Sequence, residues 1–515
     1  MSNHNYEFIN RIKEEYPNAK KNPKALNNIV SDYLASEADT LPEKEQLFEK
    51  LAIEESDIEK KIYFYSVAIS INHSIRILDK FLDLVWNNRE NTNLDTLNFL
   101  YWQFAVDIFL YPELNSMNIK VKIWNILTFN VHRYESLFDD LLTPIPKSER
   151  DNGFVLVLTD QFLSFQHGPS KTAADRCKIL IESLKKKVLL VNTAEMLSQV
   201  GRIPFFDASY GNYDEELINL EYIEWKSCKI PYFQCENVMP DIEVIRTLLS
   251  MVRRMRPIYV ISIGTGGILD SLIANIIPTL SIGLMPSGLS ITGIPFQTLS
   301  RPLNDDDKTL LKQINRTENS VITGTFGSSI LQKTEHLTRE DVGLPSDTWL
   351  AALVGGRLDY ELSSDFWDMA EASSQFGLEY VILGTYTMLE SVESAHPSLK
   401  GKIHNLGFVM NTLNYLDLCD IYLNPIRLGG GTSCVEALSL GIPVITTPYG
   451  DVGVNVGESF QAESYEAMIS LIHRYITDFD FYTSQSLAAK KRSDELLNAE
   501  NSFVKIIDEF SKRTF

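Results

Sequence analysis

The stretch LNPIRLGGGTSCVEALSLGIPVITTPYGD, Leu423 to Asp451, decides the fold. It reads as a short apolar strand, three successive glycines, a Thr-Ser pair, an apolar-periodic helix ending at Gly441, and a second strand in IPVITT. Gly429, Gly430 and Gly431 let the backbone come close to a ligand. Thr432 and Ser433 stand where a helix N-terminus presents unpaired N–H groups and positive dipole character to an anion. Glu436 lies one turn further in. A carboxylate there repels phosphate but is placed to accept hydrogen bonds from a ribose joined to it. By itself the stretch also fits an ordinary strand-to-helix turn, so its surroundings carry the argument.

Working back from it, a second α/β unit opens near Trp349. LAALVGG (350–356) is a strand ending in glycines, SSDFWDMAEASSQFG a capped helix, and YVILGT and KIHNLGFV are further strands. Earlier still, FVLVLTD (154–160), KVLLVNT (187–193), IYVISIG (258–264) and TLSIGL (279–284) are apolar runs of the kind buried in a parallel sheet, with a helix expected over 171–187. Before the proline-marked boundary TPIPKSERDNG the chain reads as helical. There Ile71, Ile75, Leu78, Leu82 and Val85 fall on one stripe. The fold class is therefore α/β: two Rossmann-like domains, 149–335 and 336–515 with C-terminal helices, preceded by an all-α region, 1–148. The helical region is either a bundle packed on the rest or a docking platform for an acceptor or partner.

A chain of 515 residues, 44% hydrophobic and 22% charged, has the composition of a globular protein of more than one domain. Its net charge of −21 argues against nucleic acid as a partner, so an anionic ligand must be held by local groups. Five scattered cysteines without a CxxC suit a reducing compartment. The apolar run from Tyr259 to Pro286 is broken by GTGG, Asp270, Asn275 and Pro278, so no transmembrane segment is expected. The N-terminus lacks a signal-peptide core, and the expected location is cytoplasmic. Asp305 to Asp307 and the DFD at 478–480 read as solvated turns.

GGRLDYELSSDFW, IHNLGFV and DIYLNPIRLGGGTSCVEALSLGIPVITT occur in the order seen in the nucleotide-sugar domain of GT-B glycosyltransferases, which the chain resembles over roughly 150–515. The HGPSKTA loop and the GGTSCVE helix start are more similar to the O-GlcNAc transferase group and the related bacterial cytoplasmic glycosyltransferases that modify adhesins. The resemblance implies transfer of a sugar from a nucleotide-sugar donor, a UDP-sugar above all, to a protein acceptor such as a surface adhesin. It implies no cofactor and no metal, and a homo-oligomer is compatible with it. It places Arg357 on the donor diphosphate as a catalytic cation, with Gly430, Gly431, Thr432 and Ser433 on the phosphates and Glu436 on the ribose. A fixed guanidinium suits a leaving group that gains charge. His167, at the edge of the first strand, is the candidate general base. Lys171 is a second cation for the diphosphate, and Gly266, in the GTGG turn, is a candidate lining residue. Retaining members carry a pair of glutamates, and Leu428 stands at the first position of that pair; retaining and inverting chemistry both stay open. The rival reading is a GT-B scaffold or partner subunit without catalysis. An epimerase of the same fold would need acid–base groups that the sequence does not display.

Overall fold

The structure is a computed structural model that describes residues 3–18, 23–36, 39–165, 167–196, 214–236, 241–285, 287–324, 327 and 330–514. The first sheet contains β1 (Asp151–Thr159), β2 (Lys187–Asn192), β3 (Tyr222–Trp225), β4 (Cys228–Gln234), β5 (Pro257–Ile263), β6 (Thr279–Ile282), β7 (Phe296–Leu299) and β8 (Val321–Thr323). Their order is β3-β4-β2-β1-β5-β6-β7-β8, parallel except for the β3–β4 hairpin at one edge. The second sheet contains β9 (Trp349–Val354), β10 (Leu378–Leu383), β11 (Ile403–Asn405), β12 (Ile421–Leu423) and β13 (Val444–Ile445), ordered β11-β10-β9-β12-β13 and wholly parallel. The expected strands are present, whereas β3, β4, β7 and β8 lie in segments with no clear apolar run.

Strand order fixes where ligands can collect. In the first sheet the direction of winding reverses between β1 and β5, and in the second between β9 and β12. Loops leaving the C-terminal ends of such strand pairs diverge and leave a crevice. The turns after β1 and β5 hold Asp160–His167 and Gly264–Gly267; those after β9 and β12 hold Gly355–Arg357 and the glycine turn.

Alternation along the first sheet separates two cores. Leu156, Leu158 and Val260 face a layer that includes the N-terminal helices, while Val155, Val157 and Ile261 face the helices Gly168–Glu182 and Ala499–Thr514. The N-terminal helices thus share one continuous core with the first sheet. The final helix crosses back to that sheet through Phe503, Ile506, Ile507 and Phe510, although the sequence reading assigned all of 336–515 to the second domain. An apolar face at the chain end can pack on either sheet, and sequence spacing does not choose.

Local capping explains four further differences. The expected stripe from Ile71 to Val85 is interrupted because His73 adopts a left-handed conformation (φ 45°) and Ser74 caps a new helix, which leaves Ile75 exposed. The helix expected over 171–187 runs over Gly168–Glu182 instead, starting at Pro169 in its first turn, where a missing N–H costs nothing. Asp305 to Asp307 open the helix Asp305–Gln313 rather than a solvated turn; Asn304 caps it and Asp307 is buried against Arg301. Likewise Asp478 caps the helix Phe479–Leu496.

Candidate active site

The two switch points face each other across a cleft of about 1100 Å³, and the N-terminal helices close one side of it. His167, Lys171, Arg357, Gly430, Gly431, Thr432, Ser433 and Glu436 all line it. Gly266 does not. The GTGG turn contributes Gly264 and Thr265 to the cleft wall, while the Gly266 amide points to the Asp160 carboxylate and its carbonyl accepts from Tyr101 at 3.4 Å.

The glycine turn is shaped from beneath by Arg427, a residue that sequence alone did not mark. Its guanidinium is buried and donates to Glu361 Oε2 (2.5 Å), the Val354 carbonyl (2.9 Å), Tyr422 Oη (3.1 Å) and Asn424 Oδ1 (2.8 Å). Gly430 sits directly over it with φ +95°, and a Cβ there would lie 2.6 Å from Arg427 Nη2. Only glycine combines that angle with that approach. The helix Gly431–Leu440 begins immediately after, so its free N–H groups open into the cleft. Ser433 directs its hydroxyl to Tyr422 Oη (2.8 Å) and the Gly430 carbonyl (3.1 Å), whereas Thr432 faces the turn at Gly168 from across the cleft. Since Gly168 opens the helix Gly168–Glu182, two helix N-termini converge there.

Arg357 lies against Gly429, with its guanidinium 4.8 Å from the ring centre of Phe109 in an N-terminal helix. It donates to Glu361 Oε1 at 2.9 Å, and among the described residues its Nε has no hydrogen-bond partner. Asp359, the other acid near it in sequence, binds Thr387 instead. Burial alone would raise the Glu361 carboxyl, but Arg427 and Arg357 together hold it below its ordinary value. The carboxylate therefore fixes Arg357 beside the glycine turn.

Glu436 and Lys171 meet across the cleft at 3.4 Å, with side chains 4% and 8% exposed. The groups read separately as ribose and diphosphate ligands thus form one buried ion pair between the two sheets. Burial raises the Glu436 carboxyl, and Lys171 opposes that rise. A second bridge joins the halves where Ser287 donates through Oγ (2.8 Å) and its N–H (3.3 Å) to Asp451 Oδ1. Burial pushes the Asp451 carboxyl up to about 7.

His167 caps its helix, with Nδ1 3.4 Å from Ser170 Oγ. Burial, joined by the Arg357 and Lys171 cations, pushes its imidazole down to about 4, so the ring is neutral near pH 7 and free to accept a proton. Asp160, at the end of β1, also lines the cleft and was missed. Its carboxylate accepts from Thr265 N–H at 2.9 Å, and burial pushes it up to about 6. A carboxylate ending the strand beside a switch point was visible in FVLVLTD and could have been found by that rule. Among the described residues no group of three or more His, Cys, Asp or Glu is placed to hold a metal ion.

Two Rossmann-like sheets with facing switch points and the binding cleft between them define a GT-B protein. In its second half, residues 362–478 match the family model described as glycosyl transferases group 1. That segment contains the glycine turn and Glu436, and begins just after Arg357. The fold is similar to a glycosyltransferase from Rickettsia africae, with TM-score 0.51 and 13% identity over 70% of this chain and 99% of that one. A mutant O-GlcNAc transferase from Thermobaculum terrenum aligns over 100% of this chain and 98% of its own, with TM-score 0.49 and 10% identity. Anabaena HepE in complex with UDP aligns over 70% and 99%, with TM-score 0.48 and 12% identity. No curated protein sequence matches the chain. Among the described residues, no helix is long and apolar enough to cross a membrane.

Proposed function

We propose that this chain moves a sugar from a nucleoside diphosphate donor, a UDP-sugar, to a hydroxyl acceptor on a protein, without a metal or cofactor and in the cytoplasm. The observation that supports this reading most directly is the convergence of Arg357, the N-terminus of the helix Gly431–Leu440 and the cleft-spanning Lys171–Glu436 pair in one cleft. In this reading the diphosphate lies over Gly430 and Thr432, where N–H groups and the Arg357 guanidinium stabilise charge that grows as the glycosidic bond breaks. Glu436 holds the ribose and Lys171 turns to the phosphates once the donor separates the pair. The acceptor enters from the side of the first sheet, with His167 or Asp160 taking its proton. The adhesin-type acceptor rests on resemblance alone.

Two observations favour the scaffold alternative. Leu428 occupies the position of the first glutamate, and Lys171 and Ser287 fasten the cleft without a ligand. Melting temperatures with UDP, GDP, TDP and CMP separate the readings. A ligand at about a hundredfold excess over Kd stabilises the folded state by about 2.7 kcal/mol. The expected result is a shift with UDP that Arg357→Ala abolishes; absence of any nucleotide shift in the unaltered protein would exclude the donor site.

A further inference from the structure

Lys120 lies in the helix Met117–Glu135 and points its ammonium into the same cleft, at the end bounded by that helix and the loop after β7. Among the described residues it makes no hydrogen bond and no ion pair. The carboxylates around it are committed or only distant. Asp307 is held by both terminal nitrogens of Arg301 (2.5 and 3.1 Å), and Asp306 acts only through space. Arg301 is engaged further by the Ser287 carbonyl, so among the described residues Lys120, without a hydrogen bond, stands beside a satisfied Arg301. Burial lowers the Lys120 ammonium from its ordinary value, and Arg301 adds to that effect against the pull of Asp307. A half-buried ammonium without a hydrogen-bond partner is costly unless a ligand completes it.

The position of this pocket relative to the donor turn defines its role. Ser287 and Asp451 form a bridge between them: Asp451 packs against Gly431 on the nucleotide side, while the Ser287 carbonyl receives Arg301 on the other. A donor seated on the second sheet therefore leaves the Lys120 pocket to the group that enters from the first sheet and the helical region.

We propose that Lys120 forms an oxyanion subsite at the acceptor end of the cleft, taking a carboxylate or phosphate carried beside the acceptor hydroxyl. The assignment to the acceptor rests on the donor reading above. Lys120 supplies a charge-assisted hydrogen bond, which discriminates against uncharged acceptors. The site lies within a chain whose net charge of −21 would otherwise repel such a group.

The test uses the full chain saturated with UDP, so that the nucleotide turn is filled. It is titrated at constant ionic strength with inorganic phosphate and, separately, with acetate, and melting temperature is compared with a chloride control. A saturable stabilisation by phosphate, acetate or both is expected, and the stronger of the two names the oxyanion. Lys120→Met should weaken it about tenfold, the size of one charge-assisted hydrogen bond. Lys120→Arg should retain it, and an intact UDP response in each variant reports an intact fold. Absence of a saturable effect above chloride, or an unchanged response in Lys120→Met, overturns the subsite. If UDP itself gives no shift, the donor reading fails and the acceptor assignment falls with it, an outcome seen before any oxyanion is added.

Discussion

Replacing Lys171 with methionine removes the only ion-pair partner that Glu436 has among the described residues and leaves a carboxylate 4% exposed. Breaking a buried pair from one side costs about 3 to 5 kcal/mol, because the remaining charge stays desolvated. The lower end applies here, since the pair borders a water-accessible cleft and the carboxyl can take up a proton. Unfolding entropy of about 2.1 cal/mol/K per residue gives roughly 1.1 kcal/mol/K for a chain of 515 residues, so 3 kcal/mol lowers the melting temperature by about 3 °C. The loss depends on pH in a definite direction. Burial raises Glu436, so its ionised form is worse accommodated in the folded than in the unfolded chain, and that penalty grows as pH rises through the raised pKa. Lys171 offsets the penalty in the unaltered protein. In Lys171→Met the deficit is therefore near its full size at pH 8 and shrinks at pH 5, where the carboxyl is more protonated. Removing both charges, in Lys171→Met with Glu436→Gln, restores stability to within about 1 kcal/mol of the starting protein. Calorimetric melting of the two single variants and the double variant at both pH values measures each quantity. Equal losses at pH 5 and pH 8, or a double variant no more stable than Lys171→Met, would refute the buried-pair argument.

The pH dependence of turnover distinguishes the two candidate bases. With the His167 imidazole at about 4, a histidine-dependent rate stays level from about pH 5.5 upward, and His167→Ala slows turnover about a hundredfold while UDP affinity is kept. An acid limb near 6 that disappears in Asp160→Asn would assign the proton transfer to Asp160 instead. Gly430→Ala forces a side chain onto Arg427 at φ +95°, so a loss of about 1 to 3 kcal/mol in melting experiments is expected, together with weaker UDP binding. Unchanged stability would show that Arg427 does not shape the turn.

How much of this was readable from the chain differs residue by residue. The strand, glycine and helix order around Gly430 states its own local structure, because backbone freedom and helix-end polarity are properties of adjacent residues. The same holds for Arg357 after the glycines of β9 and for His167 and Lys171 after β1, whose place at a strand end follows from the apolar runs before them. Arg427 was not legible. In IRLGG nothing distinguishes a guanidinium that folds under the glycines from one that points to solvent, and its partner Glu361 is a remote residue on another element. Phe109 belongs to an aromatic-rich helix whose many rings look alike in sequence, and nothing in that sequence marks it as the ring beside Arg357.

The sequence by itself therefore determined the two parallel α/β units, the strand–glycine turn–helix geometry of Leu423 to Asp451 and most of the residues at the strand ends. These depend on periodicity and on conformational preferences acting over a few positions. The tertiary structure alone decided that Lys171 closes on Glu436, that Arg427 and Glu361 brace the turn, that the last helix returns to the first sheet, and that the N-terminal helices contribute Phe109 and Lys120 to the cleft. Each of those is a contact between groups far apart in the chain. Its energy comes from burial and charge pairing that exist only once the sheets and helices have come together.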